Sequence, residues 1–469
     1  MDAPSKEVLV ERTALAQADD KPRRIRTLGV VLAVSLGFVM AMLDVTVVNV
    51  ALSDIQSEFG SDLSTLVWVV DAYTLTFASL LLLGGSLADW LGAKNAYMAG
   101  LALFIVASGL CGIAPSTALL IVARLIQGCG AALFLPSSLT LLTQSFPDRA
   151  IRVKMVGIWG AIVGAAASLG PFIGGLLVHE FGWRSIFALN LPIGAFGLFL
   201  TFILIGTSKR TPRPFDIVSH VLLVGALSAL SFTLIEGPNF GWLSSHWIVL
   251  SISASITAII LFLLRERISS RPVIPLDLFR NRVFWSLNGS GFLLSFVLFG
   301  EIFLISLFLQ KARHASALQT GIKMLPIMGI VSLVNYLSGQ FTALWGGRRI
   351  MTAGYAIGAC GAIGAAVLGG AAPYWQIVIP VAICTAGIAL AGPAMIASVM
   401  HAVGDAYANV GSATLNAVRQ IGALCGVAIM GVLLGLVPDW QIAFRMAFAT
   451  FAVCLVLATT LVHRGTRSD

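Results

Sequence analysis

The sequence predicts an all-α integral membrane protein: two bundles of six transmembrane helices, two additional transmembrane helices between them, and both termini in the cytoplasm. Three observations carry this. Of 469 residues, 58% are hydrophobic and only 11% charged, against about 25% charged in an ordinary soluble chain. Long apolar runs recur from Leu28 almost to the C-terminus, continuous rather than alternating, which excludes a membrane β-barrel. Stretches of the two halves also echo each other at a nearly constant offset.

The first 27 residues are polar, carry both charge signs and end in the basic cluster Lys21, Arg23, Arg24 and Arg26. This suits a cytoplasmic tail rather than a cleavable leader. Helices of about twenty residues then fit 28–50, 66–87, 96–114, 118–145, 154–178 and 184–206. A central pair fits 217–235 and 247–264, and six more fit 283–309, 322–343, 350–369, 374–399, 409–436 and 441–462. The corresponding units are a tail (1–27), a first bundle (28–206), the additional helices with their linkers (207–282), a second bundle (283–462) and a tail (463–469).

Fourteen helices place both ends on one side, and the bases test that count. Loops then assigned to the inside hold Lys94, Arg149, Arg152, Lys154, Lys209, Arg210, Arg213, Arg265, Arg267, Arg271, Arg280, Arg282, Arg348 and Arg349. Outer loops hold Asp54, Glu58, Asp62, Glu180, Arg184, Glu236 and Asp439, with Lys311 and Arg313 as the clear exception. The bias fits the positive-inside rule. The net charge of +8 therefore calls for no nucleic-acid partner. The six cysteines lie within apolar runs, lack metal-ligand spacing and read as packing residues.

The internal echo has three parts. "GSLADWLGAKN" (85–95) and "GQFTALWGGRR" (339–349) both place Gly first and eighth and a base tenth, an offset of 254 residues. "GAALFLPSS" (130–138) and "GIALAGPAM" (387–395) share Gly, Ala, Leu and Pro at an offset of 257. Gly170 and Gly175 find Gly426 and Gly431 at 256. A duplicated helical bundle is a mark of secondary transporters.

Several residues carry chemistry. Asp44 sits inside "GFVMAMLDVTVVNVAL", where an unpaired carboxylate costs several kcal/mol unless wetted or protonated. Arg124, in "VARLIQGCGAA", lies about 9 Å inside the outer end of the fourth helix, a depth similar to that of Asp44. The two are candidates to pair, unless Arg124 snorkels outward. Gly128 and Gly130 permit close packing beside it. "GGSLADWLGAKN" reads as the short loop after the second helix: Gly85 and Gly92 allow tight backbone approach, and Asp89 is placed to cap a helix or meet a cation. The fifth helix carries the small-residue stripe Gly157, Gly160, Gly164, Gly170, Gly174 and Gly175, with Pro171 set to kink or break it.

These segments resemble the major facilitator superfamily, and within it the fourteen-helix drug:proton antiporters. "MLDVTVVNVAL" looks like that family's first-helix motif, "GGSLADWLGAKN" the superfamily's loop motif and "RLIQGCGAA" the fourth-helix motif. "GAAASLGPFIGG" is similar to the fifth-helix motif of antiporters, and "WRSIFALNLPIG" to the segment after it. The loop motif departs at Trp90, where the family usually has a base, and its second copy has Ala343 where the first has Asp89. The resemblance implies a major facilitator fold and roles by position. Asp44 matches an acid of cation recognition or proton coupling, and Arg124 an arginine of proton transfer. Asp89 matches an acid latching the closed cytoplasmic side, and Gly170 with Pro171 the bend of the fifth helix.

Other polar residues are read without that help. Asp71 sits about five residues inside the second helix, as a coupling site or an exposed charge at the helix mouth. Glu301 is the only acid in a helix of the second half, which makes it a candidate proton carrier there. Arg419, with Asn416 and Gln420, is placed to meet substrate or to pair with Asp405. Trp68, Tyr73, Trp159, Phe299 and Phe303 are candidates to line a cavity with cation–π faces, packing being the bland alternative. No phosphate-binding loop, metal cluster or nucleophile–His–acid set is evident, so no cofactor and no enzyme activity are expected, and the energy must come from an ion gradient. The reading is a proton-coupled exporter of amphipathic, often cationic compounds across the cytoplasmic membrane, with a dedicated exporter of one metabolite, lipid or antibiotic as the alternative. The expected partners are protons, small amphipathic substrates and the bilayer. A single chain suffices, and a periplasmic adaptor stays open as an extension of the path.

Overall fold

The computed structural model describes residues 6–466 apart from 209, 211–215, 243, 270–273, 275 and 405–407. Fourteen of its helices are long and apolar enough to cross a membrane. The first six are α1 (Thr27–Phe59), α2 (Leu63–Leu91), α3 (Ala93–Gly112), α4 (Thr117–Ser145), α5 (Lys154–Phe181) and α6 (Ser185–Leu204). Two follow, α7 (Ile217–Phe240) and α8 (His246–Ile268). The last six are α9 (Arg282–Ala312), α10 (Ala317–Trp345), α11 (Gly347–Leu368), α12 (Tyr374–Val403), α13 (Val410–Leu436) and α14 (Trp440–Gly465).

Two boundaries differ from the sequence reading. The helix containing α1 runs from Lys6 to Phe59, because backbone bonding continues where side chains turn polar. The segment "GGSLADWLGAKN" is not a loop: α2 continues through Asp89 to Leu91, and Gly92 alone, at φ +87°, separates it from α3. Gly346, at φ +81°, plays the same part between α10 and α11, 254 residues on. Only glycine takes that left-handed conformation without strain. Lys94 then reaches the end of α6, where Nζ donates to the carbonyls of Phe202 (3.1 Å) and Ile205 (2.5 Å), a base at a helix C-terminus.

The halves are also packed alike. In the first, a Cβ on Gly100 would come within 2.8 Å of Gly130 O as α3 crosses α4. In the second, a Cβ on Gly354 would come within 2.7 Å of Gly387 O as α11 crosses α12. Glycine at each crossing lets the backbones meet, and van der Waals packing drives helix association in lipid. Replacing Gly387 with Ala should therefore lower the melting temperature by roughly 1–3 degrees, since the added methyl meets Gly354 O and Gly358 N and overpacking costs about 1–3 kcal/mol. Gly392→Ala on the same helix faces open space and should leave it unchanged in a thermal unfolding assay.

Between the halves, α5 packs along α10, α2 along α13, and α1 touches α9. The tight places lie toward the outer ends: Gly175 against Ala317 and Leu318, Gly321 against Pro171 and Phe172, and Gly431 against Val67. Ser306 Oγ donates to Asn49 O at 2.7 Å. Toward the cytoplasmic end, Gly157, Gly160 and Gly339 face open space. The seam is closed outside and looser inside. The additional helix α7 packs on both α2 and α13, straddling this seam, and α8 packs on α7. Trp68 Nε1 donates to Glu236 Oε1 (2.8 Å) and Asn239 Nδ2 to Ser64 Oγ (3.0 Å), fixing α7 to the outer end of α2.

Candidate functional site

Among the described residues, the first half holds a buried polar cluster around Asp44 and Arg124. Arg124 on α4 is 1% exposed and Asp44 on α1 is 4% exposed, and Arg124 Nη1 donates to Asp44 Oδ2. Gln127, one turn on from Arg124, ties the pair together: its Oε1 accepts from Nη1 at 2.7 Å and its Nε2 donates to Asp44 Oδ1 at 2.8 Å. The Gln127 amide also donates to Ser108 Oγ on α3 (2.9 Å), and Asn190 at the head of α6 donates to Ser108 Oγ (3.3 Å). Arg124 Nε donates to Val69 O at 3.0 Å, and the guanidinium lies 4.7 Å from the Tyr73 ring centroid. The cluster thus joins five helices of one half. Its charges are paired and bonded, which is what a buried ion pair needs to offset its desolvation. The equal depth read from sequence was counted from a helix end at 50. The outer turns of α1, through Phe59, project further, and the pair still meets.

In the second half Glu301 on α9 is 1% exposed. Its Oε1 accepts from Thr385 Oγ1 on α12 at 2.9 Å, and Oε2 has no partner among the described residues. Glu301 stands 257 residues after Asp44, and Thr385 258 after Gln127. Each acid sits on the first helix of its half and bonds to the fourth. The difference is the base: Asp44 has Arg124, and Glu301 has a hydroxyl.

Two six-helix groups of matched construction, closed at their outer ends around buried charges, describe a transporter. The sequence model of the Major Facilitator Superfamily matches residues 34–426. The chain belongs to that superfamily. It is accordingly a multi-pass cell-membrane transporter of small molecules and not an enzyme. A methylenomycin A resistance protein of Streptomyces coelicolor is 41% identical over 450 residues, covering 95% of this chain and 94% of that one. The multidrug resistance protein Stp of Mycobacterium tuberculosis is 35% identical over 404 residues, covering 86% and 75%. A solved peptide transporter superposes with a TM-score of 0.70 at 17% identity, over 94% of this chain and 95% of that one, and shows the fold alone.

The other members of the superfamily pattern fall as follows. Gly170 and Gly174 on α5 admit Thr46 and Val47 of α1, so the fifth-helix stripe is a contact surface for α1 on one face and for α10 on another. The helix runs unbroken through Pro171. Gly85 has open space before it, and Asp89 lies in the last turn of α2. In "WRSIFALNLPIG", Trp183 Nε1 and Arg184 Nη1 each donate to Glu58 at 2.6 Å, anchoring the outer end of α1.

The residues read without the family pattern moved most. Asp71 is not at a helix mouth: α2 begins at Leu63, and Asp71 is 0% exposed with neither oxygen bonded among the described residues. It lies on the stripe Leu63, Val67, Asp71 of α2, whose outer members meet Gly435 and Gly431 of α13. Phe303 is buried in the core, and Tyr73 is packed over Arg124 rather than open to a cavity. Trp68 is bonded to α7, Trp159 stands edge-on to Phe38 at 4.8 Å, and Phe299 packs against the apolar core. Asn416 is exposed, with Arg419 and Gln420 half-buried. Arg419 Nε donates to Ser295 Oγ at 3.3 Å, its stem over Gly291. Asp405 lies outside the described residues. Sequence reading missed Gln127, Ser108, Asn190 and Thr385. Their only signal was a polar side chain in an apolar run.

Proposed function

We propose that this chain is a proton-coupled antiporter that exports amphipathic antibiotics and related toxic compounds, cations among them, by alternating access. The observation that carries the proposal is the unequal pair of buried acids. Asp44 is charge-compensated by Arg124, so losing its charge strands a buried guanidinium. Glu301 has no base beside it among the described residues, so it can take up or release a proton without breaking an ion pair. Glu301 carries the proton, with Asp71 at the seam as a second acid. Asp44 and Arg124 lock the first half and release when substrate or proton competes for the carboxylate. The tight outer seam is the closed gate, and the loose inner seam admits substrate from the cytoplasm.

A narrower cargo is the second reading. It is favoured by the resistance protein named for one antibiotic, methylenomycin A, which aligns over nearly its whole length. Minimal inhibitory concentrations for a panel of unrelated antibiotics, with and without the chain, separate the two. Broad cargo predicts protection against several classes that an uncoupler removes, and dedicated cargo predicts protection against one. No protection at any member, at normal abundance in the membrane, contradicts both.

Gly175→Leu should hold the outer gate open, because the side chain would displace Ala317 and Leu318 of α10. Thiol labelling of a cysteine placed at Asn49, beside the outer seam, should rise several-fold in that variant, with export lost.

A further inference from the structure

We propose that the outer end of the second half binds an anionic phospholipid of the outer leaflet, with its phosphate between Arg313 and Lys323 and the upper part of one acyl chain in the cavity beside them. The starting point is the exception to the positive-inside rule. Lys311 makes no ion pair among the described residues, but it has the carboxylate of Asp54 on α1 within electrostatic reach. Arg313 and Lys323 have no carboxylate partner among the described residues. Arg313 Nη2 donates to the carbonyls of Gly370 and Ala372, and its guanidinium lies 5.6 Å from the Phe308 ring centroid. Lys323 sits six residues into α10, about 9 Å along it. Its ammonium lies 5.7 Å from the ring centroid of Tyr374, whose hydroxyl donates to Lys323 O at 2.6 Å. A cation held at that depth in an apolar wall is costly without a counter-charge.

The two bases rim a cavity of about 210 Å³ between α9, α10 and α12, whose wall includes Ile305, Ile327, Ile377 and Val381. The last turn of α9, Phe308–Ala312, is a π-helix, and Phe308 and Leu309 of that turn also line the cavity. The volume falls below the roughly 300 Å³ at which drug-sized pockets begin. Its lining is mixed, aliphatic and aromatic side chains together with Arg313, Lys323 and Tyr374. That arrangement complements an acyl chain below a phosphate, and a soluble anion would leave the apolar part unused.

The test uses the purified full chain in detergent micelles, with phosphatidylglycerol, phosphatidylcholine or inorganic phosphate added, read by thermal unfolding and by bound lipid in native mass spectrometry. Phosphatidylglycerol should bind saturably and raise the melting temperature. Phosphatidylcholine should bind several-fold more weakly, and inorganic phosphate should do neither. Lys323→Gln should weaken phosphatidylglycerol about fivefold, the effect of one base at a lipid surface, and Lys323→Arg should keep it. Val378→Phe, which narrows the cavity and spares both bases, should lower lipid occupancy on its own. Equal binding of the two lipids, equal protection by inorganic phosphate, or unchanged binding in both Lys323→Gln and Val378→Phe would overturn the proposal. So would displacement of the lipid by an exported antibiotic, which would make the cavity part of the transport path.

Discussion

Glu301→Gln abolishes proton-driven export and leaves the protein folded. The amide keeps an acceptor for Thr385 Oγ1, so the bond between α9 and α12 survives and stability moves by no more than about 1 kcal/mol. What disappears is the capacity to bind and release a proton. In vesicles with an imposed ΔpH, transport should fall to the level of empty vesicles. Binding of substrate to the detergent-solubilised variant should persist, because the change touches coupling and not the cargo. Glu301→Asp retains the acid one methylene short of Thr385 and should keep reduced transport. Full ΔpH-driven transport by Glu301→Gln would remove Glu301 as the proton site and leave Asp71 as the candidate.

Asp44→Asn costs both fold and function. It removes the negative charge facing Arg124, 1% exposed, and leaves that guanidinium only neutral acceptors: the new amide oxygen, Gln127 Oε1 and Val69 O. Removing one partner of a buried ion pair costs about 3–5 kcal/mol, because the other charge stays buried without compensation. The melting temperature should fall by roughly 3–5 degrees in a chain of this length. Export should be lost, of monovalent cations such as ethidium included. Adding Arg124→Gln to Asp44→Asn removes the stranded charge and should recover part of the stability, a positive coupling in a double-mutant cycle. It should recover none of the transport. Wild-type export by Asp44→Asn at wild-type abundance would contradict the role given to the pair.

Much of the fold was legible because hydrocarbon imposes one rule, that apolar runs of about twenty residues are helices. Helix ends were less so. The apolar run around Asp44 stops near position 50, whereas the helix continues to Phe59 outside the hydrocarbon, where its side chains need not be apolar. The loop motif misled for a related reason. Polarity suggested a turn at Gly85, and the residue that ends α2 is Gly92, the one glycine of that segment with positive φ.

The site was half legible. Depth alone brought Asp44 and Arg124 together, since two opposite charges on a level in a bundle have few other partners. The orientation of side chains was not legible, because helices apolar all round carry no stripe that separates core from cavity. Tyr73 and Phe303 were therefore left between cavity lining and packing, and both pack. The correspondence between Asp44 and Glu301 lay in the sequence at the same offset as Pro136 and Pro393, 257 residues. It becomes a structural statement only when each acid is seen bonded to the fourth helix of its own half.

The central claim is that export is exchanged for protons at a carboxyl group without a base. Proteoliposomes holding the purified chain and a pH-sensitive dye test it most directly, by addition of an exported antibiotic under an imposed ΔpH. The account predicts substrate-elicited proton movement in the direction opposite to the antibiotic, present in the wild type and absent in Glu301→Gln. Antibiotic transport with no accompanying proton movement in the wild type would contradict it.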